Sequence, residues 1–142
     1  MRVLVDTCVI IDALAQREPF KESAQEIIRL GAENKHSFFI SAKSFLDIHY
    51  VLKHYLHDET IVRKSLMDLS EAIEVCDLDE TSVLFALNSS RRDYEDSVQI
   101  ETALQQTADA IVTRNVKYFE DSPIPVLSPS EFIARIKGKE DN

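Results

Sequence analysis

The chain has 142 residues, 44% apolar and 29% charged, which suffices for one packed domain and is too apolar for a disordered chain. A formal net charge of −9 excludes a protein that grips nucleic acid over a broad basic face; an acidic soluble surface, a brief hold on a short strand and a metal-neutralised carboxylate cluster all remain open. Cys8 and Cys76 are too few and too far apart for a disulfide framework or a zinc site and read as inert, buried thiols, and no run of about 20 apolar residues offers a membrane span.

Only 2 Gly and 4 Pro occur, so most of the chain is expected in regular elements. Val3-Leu4-Val5 is a short buried strand ending at Asp6-Thr7. Asp6 and Asp12 interrupt the apolar amino-terminal stretch, which argues against an export signal and for the cytoplasm. Phe20, Ala24, Ile27, Ile28 and Gly31 recur at helical spacing, predicting an amphipathic helix from about Pro19 to Glu33. Ser37–Ser41 is a second strand, with Ser41 placed to cap the next helix. That helix carries Phe45, Ile48, Leu52 and Tyr55 on one stripe; Val62, Leu66, Leu69 and Ile73 mark another. Glu74–Cys76 reads as a third strand, and Asp79–Arg91 as a helix with Val83, Leu84 and Leu87 turned inward. Asp96–Thr107 is helical, Ala110–Thr113 a fourth strand, and Ile124–Leu127 a fifth, placed at a sheet edge by Pro125. Ser128-Pro129 opens a last helix as cap and first helical residue, and the tail from Gly138 to Asn142 is expected to fray. Short apolar strands alternating with helices predict one α/β domain over 1–142, its mainly parallel sheet covered by helices on both sides.

Ligands in open parallel sheets bind beyond the carboxyl ends of the strands. Asp6 follows the first strand and Arg114-Asn115 the fourth; if those strands are neighbours, oxygen ligands cluster there as Mg²⁺ or Mn²⁺ requires. For Asp6, a metal ligand and a helix cap are equally good readings. Asp47 sits in a helix apolar around most of its circumference, where a carboxylate needs a partner, either a metal or a basic residue of another helix. Asp93 suits an N-cap and Glu95 the positive end of a helix dipole. Asp96 shares a face with Ile100, Ala103 and Thr107 and so turns toward the core, where the helix terminus should help keep it ionised. Asp109 is a turn residue at the far edge of the sheet, and Asp12 a hydrogen-bonding residue of the first helical turn. His49, His54 and His57 lack zinc spacing and read as ordinary helix residues.

Val3-Leu4-Val5-Asp6-Thr7-Cys8-Val9-Ile10-Ile11-Asp12-Ala13-Leu14 resembles the opening of PIN domains. Asp93-Tyr94-Glu95-Asp96-Ser97-Val98-Gln99 resembles their third acidic motif, and Ala108-Asp109-Ala110-Ile111-Val112-Thr113-Arg114-Asn115-Val116-Lys117-Tyr118-Phe119 their fourth. The likeness runs through essentially the whole chain. It implies an α/β/α sandwich of about five mainly parallel strands, and Mg²⁺- or Mn²⁺-dependent hydrolysis of RNA to a 5′-phosphate and a 3′-hydroxyl. It also implies the setting of a VapC-type toxin, commonly a homodimer restrained by a small antitoxin protein. On that resemblance Asp6, Asp47 and Asp96 are the metal ligands, with Asn115 completing the catalytic set by orienting water or assisting a second ion. Thr7 is either a helix cap or, with Arg114, a contact to substrate. Arg91 and Arg92 either assist a phosphate contact or, the better reading, are cations at the end of the preceding helix.

Three departures from the family pattern stand out. Cys8 replaces the usual Asn, Asp47 the usual Glu, and Asn115 an Asp, which lowers the site's charge. A degenerate PIN-like RNA- or protein-binding module is therefore the main alternative. A phosphotransfer domain fits worse, because the paired Asp of a receiver and the Asp-x-Asp of a dehalogenase-like fold are missing.

Overall fold

The computed structural model describes residues 1–140. Five strands form one all-parallel sheet: β1 (Arg2–Val5), β2 (Ser37–Ser41), β3 (Glu74–Cys76), β4 (Ala110–Val112) and β5 (Val126–Leu127), in the order β3-β2-β1-β4-β5. Parallel neighbours require crossovers: α1 (Thr7–Leu14) and α2 (Lys21–Ala32) join β1 to β2, α3 (Ala42–Leu56) and α4 (Glu59–Ala72) join β2 to β3, α5 (Glu80–Asn88) and α6 (Tyr94–Gln105) join β3 to β4, a 3-10 turn over Val116–Phe119 lies between β4 and β5, and α7 (Pro129–Glu140) follows β5.

Alternation along each strand sends side chains to two separate cores. Val3, Val5, Phe38, Ile40 and Val112 pack with residues of α1, α2, α3, α4 and α7. Leu4, Phe39, Cys76 and Ile111 pack on the other face with Ile100 and Ala103 of α6 and with Phe119. The expected three-layer α/β/α sandwich is therefore present. No helix among the described residues is long and apolar enough to cross a membrane.

Several elements differ from the sequence reading. Helix α1 was not expected as a full helix: Thr7–Leu14 is apolar nearly all round, and Val9, Ile10, Ile11, Asp12 and Ala13 are buried, so it lacks the polar face that marks a surface helix. Helix α5 turns the other way from the expectation. Ser82 and Ala86 are its buried residues, while Leu84, Phe85 and Leu87 are exposed; the small side chains are the ones packed inward. β3 is an edge strand with Val75 partly in solvent rather than apolar on two covered faces. The tail expected to fray from Gly138 is helical to Glu140; residues 141–142 lie outside the described residues.

One glycine matters to the packing. A Cβ on Gly31 of α2 would stand 2.6 Å from the Ala72 carbonyl oxygen and 3.2 Å from the Phe38 ring, so α2 and the end of α4 meet here backbone to backbone.

Candidate active-site cleft

β1 and β4 are hydrogen-bonded neighbours, with Val5 opposite Val112. The residues that follow them, Asp6 and Thr113, consequently leave the sheet side by side. The opposite end holds Asp109, whose carboxylate accepts from the Arg2 backbone N–H at 2.8 Å, in keeping with a turn residue remote from the ligand end.

Asp6 both caps α1 and lines the cleft. Its Oδ1 accepts the Thr7 N–H at 2.8 Å and the Gln99 side-chain amide at 3.2 Å. Its Oδ2 accepts the Thr113 hydroxyl at 2.7 Å and the Cys8 thiol at 3.4 Å. No lysine or arginine pairs with it among the described residues. Thr113 is fully buried, and its oxygen also accepts the Asn115 N–H at 3.0 Å. The Thr7 hydroxyl donates to Ser44 at 2.9 Å, tying α1 to the start of α3, where the Ser41 hydroxyl caps α3 by accepting the Ser44 N–H at 3.1 Å. Burial and the neighbouring Asp6 push the Cys8 thiol up to about 12, so Cys8 is a weak donor and an inert nucleophile.

Asp96 is brought in by α6. Asp93 caps that helix by accepting the Asp96 N–H at 2.9 Å, which sets Asp96 at the third helical position. Its half-buried carboxylate accepts no hydrogen bond from any described residue. Burial, then the charges of Asp93, Asp6 and Glu95, push it up to about 6. The helix terminus therefore does not dominate, contrary to the expectation of an easily ionised group: desolvation and three like charges outweigh the dipole.

Asp6, Cys8, Ser44, Asp96 and Gln99 line one cleft of about 550 Å³, together with Thr7, Lys43, Asp47, Asn115 and Arg17. The structure thus brings Asp6, Thr7, Asp47, Asp96 and Asn115 to one place, but their surroundings differ from those expected. Asp47 is about half exposed and lies 2.6 Å from Lys43, one turn earlier on its own helix. Its neighbours Leu46 and Tyr50 are in solvent, 72% and 68% exposed, so the apolar run did not signify burial. Lys43 also approaches Glu95, at 3.7 Å.

Arg114 does not line the cleft. Its Nε and Nη2 donate to Asp12 at 2.9 and 3.2 Å, and its guanidinium lies 4.2 Å from the Phe20 ring centroid. Asp12, only 1% exposed, is more than a first-turn hydrogen-bonder, because it also accepts from Arg17 at 2.7 Å. Arg91 pairs with Glu101 at 2.7 Å and so is a structural cation. Gln99, Thr113 and Ser44 carry no charge and have no local signature in the sequence; Gln99 and Thr113 meet at the Asp6 carboxylate, and Gln99 also donates to the Ser44 hydroxyl at 3.4 Å.

Among the described residues, no three His, Cys, Asp or Glu side chains stand close enough to hold one ion as they are. The donor set nevertheless suits a hard cation. Mg²⁺ is commonly held by one or two carboxylates, with water and substrate oxygens completing its shell. An Asp96 carboxylate without donors, repelled by Asp6, is an oxygen ligand of that kind.

A parallel α/β/α sheet with a carboxylate cleft at the carboxyl ends of its central strands is the fold and site class. More particularly, the PIN domain family model matches residues 2–117, and the chain belongs to that family. No curated protein sequence matches it. The fold is similar to that of FitAcB from Neisseria gonorrhoeae, with a TM-score of 0.70, 18% identity, and coverage of 90% of this chain and 98% of that one. VapBC2 from Rickettsia felis, bound to a promoter DNA fragment, gives 0.67 with 18% identity and the same coverages, 90% and 98%. VapC20 of Mycobacterium tuberculosis, described as a sarcin-ricin loop cleaving toxin, gives 0.60 with 14% identity, covering 77% of this chain and 86% of that one.

Proposed function

We propose that this PIN domain is a divalent-metal-dependent endoribonuclease, acting in the cytoplasm as the toxin of a toxin–antitoxin pair. The observation that carries the proposal is the pairing of Asp6 with a donorless Asp96 in the cleft beyond β1 and β4, where Asp96 titrates near 6. Two carboxylates that disfavour one another's charge are relieved by a cation between them and the substrate. In this reading Asp6 and Asp96 hold Mg²⁺ or Mn²⁺, and Asp47 joins them on release from Lys43. When bound, the ion supplies Lewis acidity toward a phosphodiester and lowers the pKa of water.

The chain's own groups do the rest. Gln99 and Thr113 hold the Asp6 carboxylate in one orientation through a donor on each oxygen. Asn115, its backbone fixed on Thr113, offers a neutral amide to water or to a phosphate oxygen. Thr7 offers its hydroxyl oxygen at the rim, its proton being committed to Ser44. Lys43 places a positive charge in the cleft wall where an anionic strand enters. Unpaired RNA suits the site, since splayed nucleotides reach into a cleft that a duplex cannot. The toxin setting rests on fold likeness to toxin–antitoxin structures, and the exposed Leu84, Phe85 and Leu87 of α5 are apolar surface for a second copy or an antitoxin to cover.

Cleavage of structured RNAs in Mg²⁺ or Mn²⁺, tested alongside Asp6→Asn, decides the matter. Cleavage is expected to fall at least about 100-fold in the variant, and growth arrest on expression to disappear with it. Equal cleavage by both proteins would overturn the proposal. The Lys43–Asp47 ion pair and the neutral Asn115 favour one second reading, a binding module with an eroded site; RNA binding without cleavage in either metal is its signature.

A further inference from the structure

The Asp12 cluster has a charge imbalance that the cleft chemistry does not use. One carboxylate, 2% exposed at the side chain, is met by two guanidiniums, Arg17 and Arg114, which are 29% and 30% exposed. A buried carboxylate needs one cation; the second leaves a surplus positive charge at the surface of a chain whose net charge is −9. Donors are spare as well. Arg17 spends Nε on Asp12 and Nη1 on the Tyr55 hydroxyl, at 2.7 and 3.4 Å. Arg114 spends Nε and Nη2 on Asp12. Among the described residues, Nη2 of Arg17 and Nη1 of Arg114 have no acceptor.

Two aromatic rings flank the pair. Arg114 lies over Phe20 and Arg17 beside Tyr55, residues that are 37% and 48% exposed. Arg17 also lines the same cleft as Asp6 and Asp96. We propose that Arg17 and Arg114, aimed by the buried Asp12, form a second subsite that holds a backbone phosphate of single-stranded RNA away from the bond being cut, with Phe20 and Tyr55 as stacking surfaces for the adjoining bases. Asp12 is a positioning residue: it touches no substrate and fixes the direction in which both guanidiniums face. An acidic peptide would use the same charges, but only a nucleic acid carries a flat aromatic base beside every anion, as the two rings require, and continues into a nuclease cleft. The subsite rests on the ribonuclease reading for its place along the strand, not for its ability to bind.

The test measures binding apart from cleavage. The Asp96→Asn protein, in EDTA, is titrated with a fluorescent 12-nucleotide single-stranded RNA of mixed sequence at several salt concentrations. In that background, Arg17→Gln and Arg114→Gln are each expected to weaken binding roughly 5- to 10-fold and to lower the slope of log K against log salt by about 0.7, the value for one phosphate contact on a single strand. Asp12→Asn removes a negative charge, which would tighten binding if charge alone mattered; it is expected to weaken it. Because that variant perturbs a buried site, the two glutamine variants, checked for an unchanged melting temperature, carry the test independently. An unchanged salt slope in both would overturn the subsite, as would displacement of the RNA by an equally charged oligoglutamate at the same concentration. Tight, salt-dependent binding by a protein that never cleaves RNA would sink the nuclease reading and leave the subsite standing; cleavage with unaltered slopes would do the reverse.

Discussion

Replacing Asp96 by Asn should stabilise the metal-free protein, as expected where like charges are held together in a candidate site. Its carboxyl titrates near 6 instead of the ordinary 3.8, so the folded protein binds that proton more tightly than the unfolded chain does. The associated stability is fully present below about pH 4 and is lost as pH rises through about 6. At about 1.4 kcal/mol per pH unit, the shift corresponds to about 3 kcal/mol for a fully buried group. Asp96 is only half-buried, and solvent screening reduces this to about 1 kcal/mol. Loss of a favourable negative charge in the first turn of α6 takes back a few tenths of a kcal/mol. The net gain at pH 8 in EDTA is therefore about 0.5–1 kcal/mol, a rise in melting temperature of roughly 2–4 °C for a chain of this size. At pH 5 the difference should shrink, because the wild-type carboxyl is then mostly protonated. Added Mg²⁺ should raise the melting temperature of the wild type more than that of the variant. A variant less stable than wild type at pH 8 in EDTA would refute the electrostatic account of the cleft.

Three further outcomes are expected. Gly31→Ala gains about 1 kcal/mol of helix propensity but drives a methyl group against the Ala72 carbonyl; overpacking at about 1–3 kcal/mol should win, leaving the protein less stable in urea denaturation. Thr113→Val removes the 2.7 Å donation to Asp6 and the acceptor for Asn115; it should cost about 1–2 kcal/mol of stability and lower RNA cleavage about 10-fold, read from kcat rather than KM. Cys8, pushed up to about 12, should resist iodoacetamide at pH 8 until the chain is unfolded, as followed by mass spectrometry.

Legibility in the sequence followed the physics of each element. Strands β1, β2 and β4 are short apolar runs between polar residues, and Ser41, Asp93 and Ser128 are capping residues at the heads of strongly periodic stretches; local chemistry is enough for these. The ligand-end rule for parallel sheets pointed to Asp6 and Asn115 as rim residues, but that β1 and β4 are neighbours is set by the strand order, which neither strand's own residues specify. Failures came where apolar character and burial part company. Leu46 and Tyr50 made the surroundings of Asp47 look like core, and Leu84 and Leu87 looked inward-facing, yet all four are exposed. Gln99 and Thr113 reach Asp6 across 93 and 107 residues; nothing local marks them, since a neutral donor carries no pattern. Asp12 reads locally as a hydrogen-bonding residue of the first helical turn, and nothing near it in sequence reports that Arg114, 102 residues away, meets it along with Arg17.

The double employment of Asp6 has a practical consequence for anyone making an inactive version of this protein. The oxygen that receives Gln99 also terminates the first turn of α1 by accepting from Thr7, so truncation to alanine would remove a helix cap worth about 1 kcal/mol along with the site charge. A loss of function in Asp6→Ala could then reflect a loosened first helix. Asparagine keeps an acceptor at the same reach, which makes it the cleaner knockout.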